Sequence, residues 1–67
     1  MNTHTTDTAM TNELRSVLLE LARRQDDLAA YEAAATPYWT PYPSSVLGRR
    51  SAAAVLRAEA DHLVTAS

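Results

Sequence analysis

The residues that could support catalysis or hold a metal ion are few and far apart in this sequence. The two histidines are His4 and His62, at opposite ends of the chain, and there is no cysteine. Asp61 precedes His62, but neighbouring residues on a helix point about 100° apart, so they do not form an acid–base pair. The acidic pair Asp26–Asp27 is typical of a solvated face. With one glycine, the chain also has no glycine-rich phosphate loop. We therefore predict no catalytic residue, metal site, cofactor or small-molecule substrate.

The most unusual segment is a cluster of aromatic residues between prolines. Tyr38, Trp39 and Tyr42 are three of the four aromatic residues of the chain. Aromatic side chains dominate the energetics of both cores and interfaces, so two interpretations are open. The cluster covers one end of a small core, or it is a recognition loop for another protein. In the second interpretation the partner-binding residues are these three aromatics, with Arg49 and Arg50 as a charged rim.

The arginine pair next to the aromatic cluster also suggests an alternative function. Single-stranded nucleic acids are bound by aromatic rings that stack on bases and by arginines that contact the backbone. Arg49 and Arg50 are suited to this role, but the net charge of the chain is −2, and nucleic-acid binders normally carry a basic excess. A nucleic-acid-associated regulator is therefore the alternative hypothesis, and a protein partner is preferred.

Apolar residues recur at helical spacing in the first half of the chain, with no intervening glycine or proline. Their steps of four, three, four, seven, three and four match a heptad pattern whose missing position is Arg24. The sequence predicts a helix over residues 11–35 and an apolar stripe along it. This stripe, which we call the α1 stripe, contains Met10, Leu14, Val17, Leu21, Arg24, Leu28, Tyr31 and Ala35.

The rest of the chain divides into a tail, a connector and a second helix. Residues 1–9 are rich in threonine and are predicted to be a flexible tail. Residues 36–45 contain all three prolines, which fix φ and remove N–H donors, and are predicted to be a non-helical connector. Helical character returns over residues 46–65, where the apolar face is narrow and rich in alanine.

These elements predict an all-α fold, an antiparallel helical hairpin that forms a single domain over residues 10–67. A two-helix hairpin has one interface, and its alanine-rich second helix covers too little of the first. We therefore expect self-association, in its simplest form a two-fold symmetric homodimer that is a four-helix bundle. The predicted oligomer interface consists of Leu14, Val17, Leu21, Arg24, Leu28, Tyr31, Leu56 and Leu63.

Composition sets the remaining expectations. No apolar run is long enough for a transmembrane helix, and the N-terminus lacks the basic and apolar segments of a signal peptide. The sequence therefore predicts a cytoplasmic protein without a membrane partner. The chain has 13 alanines and six arginines but no lysine, which suggests a GC-rich genome, such as that of an actinobacterium or its phage. The predicted function is a small regulatory protein, not an enzyme, that binds other proteins.

Overall fold

The computed structural model describes the backbone of residues 3–66 and the side chains of residues 8–63. It contains two helices, α1 (Thr3–Ala35) and α2 (Ser44–Ala66), which pack against each other, and the described backbone has no strand. Glu32, late in α1, contacts Ser45, early in α2, whereas Asp26 contacts Arg57. The helices are therefore antiparallel. The predicted all-α architecture with two packed helices is confirmed.

Helix α1 starts closer to the N-terminus than the sequence pattern indicated. The structure begins it at Thr3, so residues 3–9, which we assigned to a flexible tail, form its first turns. Met1 and Asn2 lie outside the described residues. Residues 3–10 contain no glycine or proline, and threonine costs a helix at most about 0.7 kcal/mol relative to alanine. A helix nucleated further along the chain can therefore propagate into this segment.

Helix α1 ends at Ala35 because Pro37 follows two residues later, and proline disfavours helical geometry in the residue before it. Thr36 completes the last turn: its N–H donates to the Ala33 carbonyl at 3.2 Å, and its hydroxyl donates to the Glu32 carbonyl at 2.8 Å. These two bonds satisfy backbone carbonyls that a helix end leaves without intrahelical partners.

The connector turns before α2 begins. The Thr40 N–H donates to the Pro37 carbonyl at 3.0 Å, which closes a β-turn with Tyr38 and Trp39 at its two central positions. The Val46 N–H then donates to the Pro43 carbonyl at 3.0 Å, and α2 starts at Ser44. The connector is therefore residues 36–43, two residues shorter than expected.

The fully buried residues in the contact between the helices are mostly alanine. The fully buried apolar residues among the described side chains are Ala22, Ala29, Val46, Ala53 and Ala60. They lie on two heptad patterns, residues 15, 18, 22, 25, 29 and 32 of α1 and residues 46, 49, 53, 56, 60 and 63 of α2, which are buried or partly buried. Alanine allows two helix backbones to approach closely, but it removes little apolar area from water.

The hairpin is long and thin. Its extents are 61 × 15 × 11 Å, and its radius of gyration is 16.3 Å. A compact globular chain of this length has a radius of gyration of about 11 Å. Within residues 3–66 the two helices lie side by side with no third element, so the described side chains outside the contact face solvent.

Candidate interaction surfaces

The α1 stripe is exposed to solvent, because α1 faces α2 with a different set of residues. Each α1 residue of the heptad pattern that faces α2 follows a residue of the α1 stripe by one position, so the two sets point about 100° apart. The large apolar side chains of the stripe remain between 39% and 76% exposed. These side chains are Met10, Leu14, Val17, Leu21, Leu28 and Tyr31. A row of this length is a candidate interaction surface.

Two leucines of α2 extend the same surface. Leu56 and Leu63 belong to the heptad pattern of α2 that faces α1, and both are partly exposed. The contacts Glu32–Ser45 and Asp26–Arg57 place Leu56 level with about residue 24 of α1 and Leu63 level with about residue 17. By helical rotation both leucines lean towards the edge on which the α1 stripe lies. The structure thus brings all eight predicted interface residues to one side of the hairpin.

Arg24 interrupts the α1 stripe as an exposed side chain. The nearby ion pair within α1 joins Arg23 to Glu20 at 4.0 Å, with both side chains largely in solvent. A surface pair of this kind contributes little to stability. Both Arg24 and Glu20 are therefore available for contacts outside the hairpin.

A group of polar side chains joins the helices near the connector. Glu32 accepts a hydrogen bond from the Ser45 hydroxyl and a second from Arg49 Nε at 2.5 Å. Arg49 also donates from Nη1 to the Gln25 side-chain oxygen at 3.2 Å. We call these four residues the Glu32 clamp. Because Arg49 is held inside the hairpin by two residues of α1, only Arg50 of the predicted charged rim is exposed.

The Glu32 clamp makes stability sensitive to acid. The hydrogen bonds from Ser45 and Arg49 lower the pKa of the Glu32 carboxyl below its ordinary value. A folded-state pKa below the unfolded one means that the stabilisation is present above the unfolded pKa and lost as the pH falls through the folded pKa. We expect Glu32→Gln to melt at a lower temperature at neutral pH and to show a smaller decrease on acidification.

The test is thermal melting followed by circular dichroism between neutral and strongly acidic pH. Glu13→Gln, an exposed position outside the Glu32 clamp, is the control and should melt like the native chain. An equal dependence on acid in the native chain and in Glu32→Gln contradicts the role assigned to Glu32.

A second polar contact lies on the opposite edge of the helix pair, where Arg57 Nη2 donates to Asp26 Oδ2. The sequence pattern had suggested a solvated role for Asp26. The structure pairs two residues that are 31 positions apart. A single sequence gives no signal for such a contact, because it depends on how the two helices are rotated.

The three aromatic residues of the connector, which we call the aromatic tip, point into solvent. Tyr38 is 96% exposed and Trp39 is 73% exposed. Their rings meet edge to face, with centroids 5.0 Å apart and planes at 86°. Tyr42 is also exposed, and the tip borders an open groove of about 450 Å³. The groove is lined by Thr36, Pro37, Tyr38, Thr40, Pro41 and Tyr42.

The exposure of the aromatic tip argues against the interpretation in which it covers one end of the core. Residues at the centre of a β-turn project away from the chain, which explains why Tyr38 and Trp39 do not reach the helices. We expect Trp39→Ala to change the free energy of unfolding by less than about 0.5 kcal/mol. The measurement is melting by circular dichroism, and a large loss of helical signal would restore the core interpretation.

The described part of the chain offers little for other kinds of site. No three acidic or histidine side chains among the described residues are grouped as a metal site requires. Within residues 3–66, neither helix has the length and hydropathy needed to cross a bilayer. Comparison with known proteins finds no matching family model, no similar curated protein and no similar solved structure.

Proposed function

We propose that this chain is a small, non-enzymatic protein-interaction module that self-associates through the α1 stripe and offers the aromatic tip to another protein. The observation that carries the proposal is the row of large apolar side chains left exposed beside a contact built from alanine. Exposed apolar surface of this extent is costly in water and is typical of a site that binds another protein surface.

The accessible area of the hairpin supports self-association. The hairpin exposes 5212 Å², whereas a compact globular chain of the same mass exposes about 4200 Å². The difference of about 1000 Å² is close to the roughly 800 Å² that each partner buries in a standard interface. A second copy packed along the α1 stripe would therefore give the chain the exposed area per mass that is typical of a stable protein.

The aromatic tip supports the second part of the proposal. The turn and the prolines hold Tyr38, Trp39 and Tyr42 in place, so little conformational entropy is lost on binding. Tyrosine and tryptophan are the residue types enriched at energetically important interface positions. The tip is not part of the α1 stripe, so the chain has a separate surface for each of the two contacts.

The experiment that tests self-association is the molar mass in solution, measured by light scattering or sedimentation over a dilution series. The 7.3 kDa chain is expected to give twice its monomer mass at high concentration and to dissociate on dilution. A single hairpin mass at all concentrations would contradict the proposal.

The alternative function, a nucleic-acid-associated regulator, depends on Arg49 and Arg50. The engagement of Arg49 by Glu32 and Gln25 argues against it, because a guanidinium held by a carboxylate is a poor phosphate ligand. Retention on a nucleic-acid column at low salt that is lost in Arg50→Ala would favour this alternative over a protein partner.

A further inference from the structure

We infer that the occupant of the α1 stripe is the α1 stripe of a second copy, packed antiparallel about a two-fold axis that crosses α1 between Ala22 and Arg23. In this arrangement Glu20 of each copy pairs with Arg24 of the other. The inference rests on the proposed self-association and specifies its geometry.

The spacing of the α1 stripe is the first argument. Its positions 10, 14, 17, 21, 24, 28, 31 and 35 are separated by steps of four, three, four, three, four, three and four. This series is the same in both directions. If a second copy is antiparallel and centred between residues 22 and 23, each of its stripe residues is therefore level with a stripe residue of the first copy. These layers pair Met10 with Ala35, Leu14 with Tyr31, Val17 with Leu28 and Leu21 with Arg24.

The hairpin itself shows which edges meet when two helices are antiparallel. Glu32 and Ser45 lie about 50° to one side of the centre of contact on their own helices, and Asp26 and Arg57 lie about 70° to the other side. Both pairs form contacts. In an antiparallel pair, side chains that are rotated in the same direction from the centre of contact on their own helices therefore lie next to each other. In a parallel pair, side chains rotated in opposite directions lie next to each other.

Charge is the second argument, and it selects the antiparallel arrangement. Arg24 and Glu20 lie about 30° and about 70° from the centre of the α1 stripe, both on the edge away from α2. Antiparallel packing brings the Glu20 and Arg24 edges of the two copies together. Along the helix axis, Glu20 of one copy is then offset from Arg24 of the other by about 1.5 Å. Parallel packing would instead place the two Arg24 side chains at the same level and leave Glu20 on the outer edge.

Cysteine cross-linking tests the direction of packing, and the chain has no native cysteine to interfere. We would prepare Leu14→Cys and Tyr31→Cys as separate proteins, one with a mass tag, and oxidise each alone and the two mixed. In the antiparallel dimer the mixture forms a disulfide, because these positions share a layer. Each variant alone does not, because its two cysteines are about 26 Å apart along the axis.

The outcomes separate the inference from the proposed function. A Leu14→Cys dimer that cross-links to itself, or a dimer whose mixture does not cross-link, overturns the antiparallel packing while self-association stands. Absence of any dimer by molar mass overturns both. The native chain, measured beside the variants, shows whether the substitutions themselves prevent association.

Charge exchange tests the pairing of Glu20 with Arg24. Glu20→Arg and Arg24→Glu each place like charges together twice in the dimer. Each should therefore raise the dissociation constant of the dimer at least about tenfold. The double variant E20R/R24E restores opposite charges and should return to within about threefold of the native value. A double variant as weak as the single ones, or single variants without effect, would overturn the pairing.

Discussion

Leu28→Glu is expected to convert the proposed dimer into single hairpins. Leu28 lies in the α1 stripe, opposite Val17 of the second copy in the proposed packing, and it is 39% exposed in the hairpin, so association would bury the rest of it in both copies. Losing that burial twice and burying two carboxylates instead costs at least about 3 kcal/mol. This corresponds to a dissociation constant raised more than about a hundredfold, measured by sedimentation over a dilution series.

Leu47→Glu is the matched control for this prediction. Leu47 is also a large apolar residue, 64% exposed, but it lies on the side of α2 that points away from both α1 and the α1 stripe. The same substitution there should leave the dissociation constant unchanged within about threefold. If the two variants weaken association equally, the α1 stripe is not the interface.

Ala29→Leu is expected to destabilise the hairpin strongly. Ala29 is 1% exposed and lies in the contact between the helices, so a longer side chain there would press against α2. Overpacking of this kind costs about 1–3 kcal/mol. For a domain of this size a loss of about 2 kcal/mol lowers the melting temperature by roughly 8–16 °C. The measurement is thermal melting at one fixed protein concentration, because dimerisation makes the midpoint depend on concentration.

The neighbouring residue provides a close control. Ala30 is exposed, and leucine has a helix propensity near that of alanine, so Ala30→Leu should melt within about 3 °C of the native chain. A similar decrease in both variants would mean that the alanine contact does not limit the approach of the helices.

Several features of the fold could be predicted from local sequence signals. Pro37 and the two following prolines mark the break between the helices because they act on the backbone at their own positions. The heptad spacing from Met10 to Ala35 predicts a helix for a similarly local reason. The start of α1 was misplaced because threonine-rich residues permit a helix without signalling one.

For the candidate surfaces too, some properties could be predicted from the sequence and others could not. The aromatic tip was recognised from residue types, yet its two interpretations could be separated only by the turn that directs Tyr38 and Trp39 outwards. Arg49 was assigned to an exposed rim because its partners, Gln25 and Glu32, are 24 and 17 residues away in the chain. The α1 stripe could be located from the sequence, since it is a periodic feature of one segment, whereas its role as an interface stays a prediction.

Local sequence signals were enough to predict two helices, the proline-containing break between them and the row of large apolar side chains along α1. Which face of α1 meets α2 could be known only from the packing of the two helices. That face is not the most apolar one. It is the face whose small side chains, Ala22 and Ala29, let the helices approach while Glu32 and Asp26 reach Arg49 and Arg57. Such a fit depends on the rotation and level of two helices together, and neither quantity is encoded in the period of either helix alone.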